Sequence, residues 1–225
     1  LHNAPNLDAG QIAVFPGPAM AGADFFDIKI TGRGSHGAMP HLGRDPVIVA
    51  ITLAGALQTI VSRNADPRES AVLSITQIHA GSAYNVIPNE AALAGTIRTF
   101  SPEIAALVRD RMREIAAGLA QSFGVEIEVD IRSIFDVLVN HPEQSVAAAA
   151  VASEIVGAQN VLTEVKPVMG SEDFADMLRV VPGAYCWVGH AGSVPVHNPG
   201  FVLDDGILPV GASLLARLVE TRLAA

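Results

Sequence analysis

Two helix starts of the same type organise the middle of the sequence. At Asp45-Pro46 and at Ser101-Pro102, a side chain that can cap a helix N-terminus stands directly before a proline. Proline suits the first turn of a helix because its φ is already near the helical value and its missing N–H is not needed there. The first start predicts an apolar helix to about Arg63. The second predicts an amphipathic helix that ends at Gly124.

Strand patterns flank these two helices. Four segments alternate or are rich in β-branched and aromatic residues: residues 24–31, 70–80, 91–100 and 125–132. The order is therefore β-α-β-β-α-β, which predicts a ferredoxin-like sandwich with both helices on one face of a four-stranded sheet. Within the second strand, a period of two places Val72 and Ile78 on the same face.

The sequence changes character after about residue 135. The pattern predicts an Ala-rich helix, a strand, a short helix, a buried strand and a closing helix to about residue 223; the first four cover residues 143–157, 163–168, 171–179 and 184–190. Alternation of strands and helices indicates part of an α/β layer. We therefore expect three segments: a short first piece at 1–20, the ferredoxin-like domain at 21–135, and an α/β portion at 136–225.

Composition excludes several classes of partner. Half of the residues are hydrophobic and 16% are charged, which is enough apolar material for a core, and the net charge of −9 argues against nucleic acid. The single cysteine, Cys186, excludes an intrachain disulfide and fits a reducing cytoplasm. The apolar runs Ile48–Ile60 and Val146–Val156 are short or interrupted, so no membrane span is expected.

Polar segments punctuated by Gly and Pro stand between the predicted elements, where binding and catalytic residues usually lie. They read GRGSHGAMPH (32–41), GSAYNVIPNEA (81–91), MGSEDF (169–174) and PVHNPGF (195–201). The strand that follows the second segment contains GTIRTF, and the chain opens on LHNAPNLDAG. Each motif is short, but their order along the chain is specific.

Together these motifs resemble the amidohydrolase branch of the M20 metallopeptidases, which includes hippurate hydrolases and N-acyl-amino-acid deacylases. The resemblance spans roughly residues 1–211. It implies an α/β catalytic domain that holds two divalent metal ions (zinc, manganese, cobalt or nickel) and a ferredoxin-like lid domain that forms a homodimer. It also implies hydrolysis of the amide bond of N-acyl amino acids or similar small amides by a metal-activated water.

The resemblance also implies roles for individual residues. His36 matches a lid histidine that stabilises the oxyanion in the active site of the partner subunit. The resemblance also implies substrate contacts by Asn85, Arg98, Ser171 and Glu172, and metal ligation by His2 and His197.

The remaining ligands and the general base of the family, a Cys-x-His unit and a Glu-Glu pair, have no match here. The chain also begins at Leu1 rather than at Met. We therefore expect a C-terminal portion of a longer enzyme that does not fill its metal site and is inactive alone.

Other interpretations stay open at this point. The chain can be a non-catalytic dimerisation module with a ferredoxin-like fold, or a regulatory domain that binds a small molecule. Glu172 and Asp173 can be acids that favour a helix N-terminus. The histidines outside the matched roles (His41, His79, His141 and His190) are interpreted as structural residues or, for His41, as a possible contact between subunits.

Overall fold

The computed structural model describes residues 1–192 and 194–223, and these form a mixed α/β structure. The strands are β1 His2–Ala4, β2 Ile12–Ala13, β3 Gly17–Met20, β4 Gly22–Thr31, β5 Ser35–His36, β6 Ala71–Ala80, β7 Val86–Ile87, β8 Glu90–Thr99, β9 Glu126–Phe135, β10 Leu138–Asn140, β11 Val161–Leu162 and β12 Trp187–Gly189. The α-helices are α1 Pro46–Thr59, α2 Pro102–Phe123, α3 Pro142–Val156, α4 Phe174–Leu178 and α5 Leu208–Arg222.

The chain divides into two compact units. The inserted unit is continuous and runs over Ala21–Val137. The split unit combines Leu1–Met20 with the described residues from Leu138 onward. The chain therefore passes from the split unit to the inserted unit after Met20 and returns after Val137.

The inserted unit contains a four-stranded antiparallel sheet in the order β6-β8-β4-β9. Along the chain its long elements follow the predicted order β-α-β-β-α-β. One face of the sheet is buried against both helices, and the core includes Phe26, Ile28, Leu93, Leu53 and Met112. Alternate residues of each strand point to this core because side chains in a strand alternate between faces.

Both predicted helix starts are confirmed. The Asp45 carboxylate accepts hydrogen bonds from the N–H groups of Val47 and Ile48, at 2.8 and 3.4 Å. The Ser101 hydroxyl accepts one from the N–H of Ile104 at 3.3 Å. At the other end of α2, Gly124 adopts the left-handed conformation with φ of 64°, as a helix C-terminal glycine commonly does.

Strand β6 contains a β-bulge, which changes the predicted alternation of its side chains between the two faces of the sheet. Ile75 pairs with Gly95, but Gln77 rather than Thr76 pairs with Ala94. The extra residue shifts the alternation by one position. Ile78 consequently lies opposite Leu93, and the prediction that it shares a face with Val72 is wrong.

The helical segment that begins with α1 is longer than the apolar run Ile48–Ile60. With the π-helical turn that follows α1, it covers Pro46–Asn64, 19 residues with mean hydropathy 1.5, which is long and apolar enough to cross a membrane by length and composition. The expectation that this run is too short is therefore wrong. Its fully buried residues Val49, Leu53 and Leu57 pack in the core of the inserted unit, as in the core helix of a globular domain.

The split unit is built on short strands. Its four-stranded sheet has the order β1-β12-β2-β11 and mixes parallel and antiparallel pairs, and β3 and β10 form a separate two-stranded ribbon. Ile12, Val14 and Val188 pack against Val151 of α3 and Leu214 of α5. These contacts give the unit a core of its own.

Three predicted elements of this unit are wrong in extent. The strand predicted over 163–168 is wrong: the strand in this region, β11, ends at Leu162 before that range begins, and within the range Val168 makes only an isolated bridge to Met20. The helix predicted over 171–179 is reduced to α4. The strand predicted over 184–190 is reduced to β12, because the N–H and C=O of Tyr185 bond to the side chain of Asn140 instead of to a neighbouring strand.

Candidate functional site

His36 lies on a two-residue strand at one end of the inserted unit. β5 pairs with β7 in antiparallel register, and His36 stands opposite Val86. The N–H of Gly37 donates to the carbonyl oxygen of Asn85 at 2.8 Å, which places His36 and Asn85 at the same end of the unit. Both side chains are exposed, so both are available to a molecule that approaches this end.

The glycines beside His36 are required for close packing. A Cβ atom on Gly32 would lie 2.2 Å from the carbonyl oxygen of Arg44, and one on Gly34 would lie 2.7 Å from that of Ile87. Neither glycine has a positive φ. These glycines therefore let neighbouring backbone segments approach each other closely.

Asn89 was not recognised from the sequence, although it holds this end together. Its side-chain oxygen accepts a hydrogen bond from the N–H of Gly34 at 2.8 Å, and its backbone carbonyl accepts one from the N–H of Gly32. The two partners are more than 50 residues away along the chain. Asn89 therefore holds the backbone of residues 32–34, which lead into β5. In the sequence, only its position in the motif GSAYNVIPNEA pointed to a role.

Arg98 lies far from His36 within one inserted unit. It is half-buried on β8, where it pairs with Val72 and Ala23. Nine residues of extended strand separate it from Asn89, which corresponds to about 30 Å. Burial lowers the pKa of the Arg98 guanidinium from its ordinary value. The structure thus brings together His36 and Asn85 but not Arg98.

A second group of candidate residues meets in the split unit. The hydroxyl of the buried Tyr185 donates to a carboxylate oxygen of Glu172 at 2.8 Å. The ring of His2 lies 6.3 Å from the Tyr185 ring. His2 donates through Nδ1 to the carbonyl oxygen of Asn3 at 2.7 Å, so the neutral form of the ring has its lone pair on Nε2, the atom with which it would bind a metal ion. Ser171 precedes Glu172 in the chain and is half-buried.

Glu172 is held in its ionised form. Burial opposes ionisation, but hydrogen bonds from Tyr185 and Asp173 and the nearby His2 outweigh it, so that the pKa of Glu172 lies below its ordinary value. The hydrogen bond to Glu172 and the Glu172 charge raise the pKa of Asp173. Burial, followed by the bond to Glu172, raises the pKa of Tyr185, which keeps its proton as a donor. The two acids are therefore not interchangeable: Glu172 carries the charge, and Asp173 at the start of α4 makes no capping bond through its side chain.

We predict that Tyr185→Phe raises the pKa of Glu172, because the variant removes the hydroxyl that stabilises the carboxylate. A group with a lowered folded-state pKa adds stability above its unfolded pKa, and this stability is lost as the pH falls through the folded value. The variant should therefore lose about 1 kcal/mol of unfolding free energy near neutral pH and much less in acid. Carboxyl-carbon NMR titration and denaturant unfolding at two pH values measure both effects.

Phe174→Leu serves as the matched control for that variant, since the Phe174 ring lies 5.8 Å from the Tyr185 ring and the change keeps the Phe174 backbone N–H that stabilises the Glu172 carboxylate. It should leave the titration of Glu172 unchanged. An unaltered Glu172 titration in Tyr185→Phe would contradict the role assigned to the hydroxyl.

His197 lies in the segment between β12 and α5 and is exposed. It is one of two non-glycine residues in the described chain with positive φ, at 66°. Among the described residues, no group of three or more His, Cys, Asp or Glu side chains is placed to hold a metal ion. His2 is suited to act as one donor, but His2 and His197 do not form a closed dinuclear centre by themselves.

The remaining histidines make contacts of other kinds. His79 Nε2 lies 3.2 Å from the side-chain oxygen of Gln77, and His141 Nδ1 accepts a hydrogen bond from the N–H of Gly183. His190 is buried edge-on against Phe201. His41 is exposed in a short 3₁₀ turn.

Comparison with known proteins identifies the family to which this chain belongs. The model of peptidase family M20/M25/M40 matches residues 1–221. The chain belongs to this family. It is 38% identical over 220 residues to N-acetylcysteine deacetylase from Bacillus subtilis strain 168, and 35% identical over 217 residues to hippurate hydrolase from Campylobacter jejuni. These alignments cover 97% and 96% of the chain.

The fold is also that of solved members of the M20 family. A crystal structure from Bacillus subtilis, described as a dinuclear metal binding peptidase from the M20 family, matches 99% of the chain with a TM-score of 0.80 and 32% identity. The chain spans 57% of the length of each of the two curated relatives and 56% of this solved chain. The predicted α/β class and the resemblance to M20 amidohydrolases are confirmed.

Proposed function

We propose that this chain is the part of a metal-dependent amidohydrolase that supplies the oxyanion donor, substrate contacts and two of the metal ligands. The proposed substrates are N-acyl amino acids or similar small amides. The observation that carries the proposal is the placement of His36 and Asn85 side by side at the exposed end of the inserted unit. Membership of the M20 family and relatives described as deacetylases and hydrolases support the reaction class.

The residues of this chain have distinct chemical tasks in this proposal. His36 donates a hydrogen bond to the oxyanion that forms when water adds to the amide carbonyl. Asn85 binds a polar group of the same substrate. In the split unit, His2 and His197 are donors to divalent metal ions, and Tyr185 holds Glu172 beside His2. Such ions would lower the pKa of a bound water and polarise the amide carbonyl.

The metal centre requires residues outside this chain, because the described donors do not complete it. The surface of the split unit supports this requirement. Leu215 and Val219 lie four residues apart on α5, on the same side of the helix, and their side chains are 52% and 57% exposed. Exposed apolar side chains at such spacing are typical of a surface that another segment covers.

We predict that His36→Ala in the product of the full reading frame lowers kcat for an N-acetyl amino acid by about 100-fold to 1000-fold, the usual effect of removing one oxyanion donor. KM should change little because the interaction forms in the transition state. His41→Ala, an exposed histidine in the same segment, is the matched control and should keep its kcat. Equal kcat values for the two variants would contradict the role of His36.

We infer that the inserted unit is a ferredoxin-like lid that forms a homodimer with a second copy. The edge strand β9 carries charged side chains at Glu126, Glu128, Asp130 and Arg132, which discourage pairing of strand edges. The other edge strand, β6, carries no acidic or Lys/Arg side chain over its ten residues. Next to it, α1 exposes Ile48 and Ile51 at helical spacing, 51% and 60%.

Ile51→Glu is therefore expected to shift the chain from dimer to monomer, since it places a charge in the apolar surface beside β6. Multi-angle light scattering after size-exclusion chromatography measures the mass. Phe123→Glu is the matched control, because Phe123 is also an exposed apolar residue, at 36%, but lies at the end of α2. A wild-type chain that is monomeric at micromolar concentration would contradict the proposal.

We also propose that the protein works in the cytoplasm. Its single cysteine is buried next to β12, and burial raises the pKa of the Cys186 thiol to about 11. A thiol of this kind is unreactive and needs no oxidising compartment.

A further inference from the structure

The histidine at the exposed end of the inserted unit has a backbone partner of its own. The N–H of Ala38 donates to Nδ1 of His36 at 3.0 Å. A backbone amide can only donate, so Nδ1 must be the acceptor with an unprotonated lone pair. The ring proton of the neutral imidazole is then on Nε2.

The turn that follows β5 presents this amide. The N–H of Met39 donates to the carbonyl oxygen of His36 at 2.7 Å, which closes a β-turn over residues 36–39. The N–H of Gly37 donates to the carbonyl oxygen of Asn85. Three consecutive amides therefore have three fixed acceptors, and two of these acceptors belong to His36. The turn holds the ring as well as the backbone.

Close packing restricts the turn further. A Cβ atom on Gly37 would lie 3.3 Å from the carbonyl carbon and oxygen of Asn85, so that a larger residue would press against this segment. Glycine at position 37 therefore allows the short hydrogen bond to Asn85 that anchors the turn carrying the Ala38 amide.

We propose that the Ala38 amide is a positioning group that holds His36 in its Nε2–H tautomer, so that the neutral ring presents an N–H donor outwards. The inference rests on the proposed role of His36 and specifies how the ring serves it. An oxyanion needs a donor, and a neutral imidazole with its proton on Nδ1 would present a lone pair instead. The same hydrogen bond fixes the orientation of the ring, so less motion is lost when the oxyanion is bound.

The tautomer can be read by NMR on the 225-residue chain without substrate. In a chain labelled with ¹⁵N-histidine, long-range proton–nitrogen spectra above the titration range of histidine separate protonated from unprotonated ring nitrogens. His36→Ala identifies the signal. We expect wild-type His36 to show the Nε2–H pattern, with a tautomer ratio about fivefold above that of the exposed His41, the effect of one ordinary hydrogen bond.

Two variants test the cause. Ala38→Pro removes the N–H and should return the His36 tautomer ratio to that of His41, whereas Ala38→Ser keeps the N–H and the wild-type pattern. The signals of His79 and His141 in the same spectra show whether the chain remains folded. If Ala38→Pro unfolds, the tautomer ratio of His36 relative to His41 in the wild-type spectrum still tests the proposal.

An Nδ1–H pattern in wild-type His36, or a ratio equal to that of His41, would overturn the proposal. So would an unchanged ratio in folded Ala38→Pro. None of these outcomes depends on hydrolysis, so they leave the proposed function standing. Conversely, loss of activity in His36→Ala tests that function and does not report the tautomer.

Discussion

Asn140→Leu is expected to lower the unfolding free energy of the split unit by about 3–5 kcal/mol. The Asn140 side chain is fully buried, donates to the carbonyl oxygens of Phe15 and Tyr185, and accepts from the N–H of Tyr185 at 2.7 Å. Leucine has a similar volume, so the variant removes three hydrogen bonds and creates no large cavity. It leaves three buried backbone groups without partners.

The unfolding can be followed through Trp187, the only tryptophan in the sequence, whose ring lies 5.1 Å from that of Tyr185. Asn160→Leu is the matched control. The side chain of the half-buried Asn160 donates one hydrogen bond, to the carbonyl oxygen of Val156, and the loss of this bond should cost about 1 kcal/mol. An Asn140→Leu variant within about 1 kcal/mol of wild type would contradict this account of the unit.

Arg109→Met is expected to destabilise the inserted unit by a similar amount, about 3–5 kcal/mol. The Arg109 guanidinium donates two hydrogen bonds to the Asp24 carboxylate, at 2.7 and 2.6 Å, and Asp24 is only 3% exposed. Removing the cation leaves a carboxylate buried under α2 with no opposite charge. The hydrogen bonds to Asp24 also raise the pKa of Arg109, so the guanidinium keeps its positive charge.

Native-state hydrogen exchange of the β4 amides measures this loss within the inserted unit. The double variant Asp24→Leu/Arg109→Met should recover most of the stability, because it removes the buried charge as well. Arg132→Met is the control, since Arg132 and its partner Asp27 are both more than half exposed, and it should cost less than about 1 kcal/mol. Equal effects of Arg109→Met and Arg132→Met would show that burial of Asp24 does not matter.

The sequence predicted those parts of the fold that depend on neighbouring residues. Asp45 and Ser101 cap their helices through bonds to residues two or three positions ahead, and Gly124 ends α2 through its own backbone freedom. Such signals are local, so a short pattern is enough to detect them. The order of the long elements in the inserted unit follows from them.

The features that the sequence did not reveal depend on distant partners. Asn140 contacts Tyr185 45 positions away, and because of this contact the strand predicted from residue 184 begins only at residue 187. Asn89 meets Gly34 across 55 positions. The bulge in β6 follows from pairing with β8, and no pattern within β6 indicates it. For the site, motif matches named His36 and Glu172, but the hydrogen bonds of Ala38 and Tyr185 became visible only in three dimensions.

Release of the free amino acid from an N-acetyl amino acid tests the central claim most directly. The assay compares the product of the full reading frame with residues 1–225 alone, each before and after treatment with a chelator and re-addition of zinc, manganese, cobalt or nickel. The account predicts that the full product hydrolyses the amide, loses activity with the chelator and regains it with metal, and that residues 1–225 show no turnover. Hydrolysis that survives complete removal of metal, or turnover by residues 1–225 alone, would contradict it.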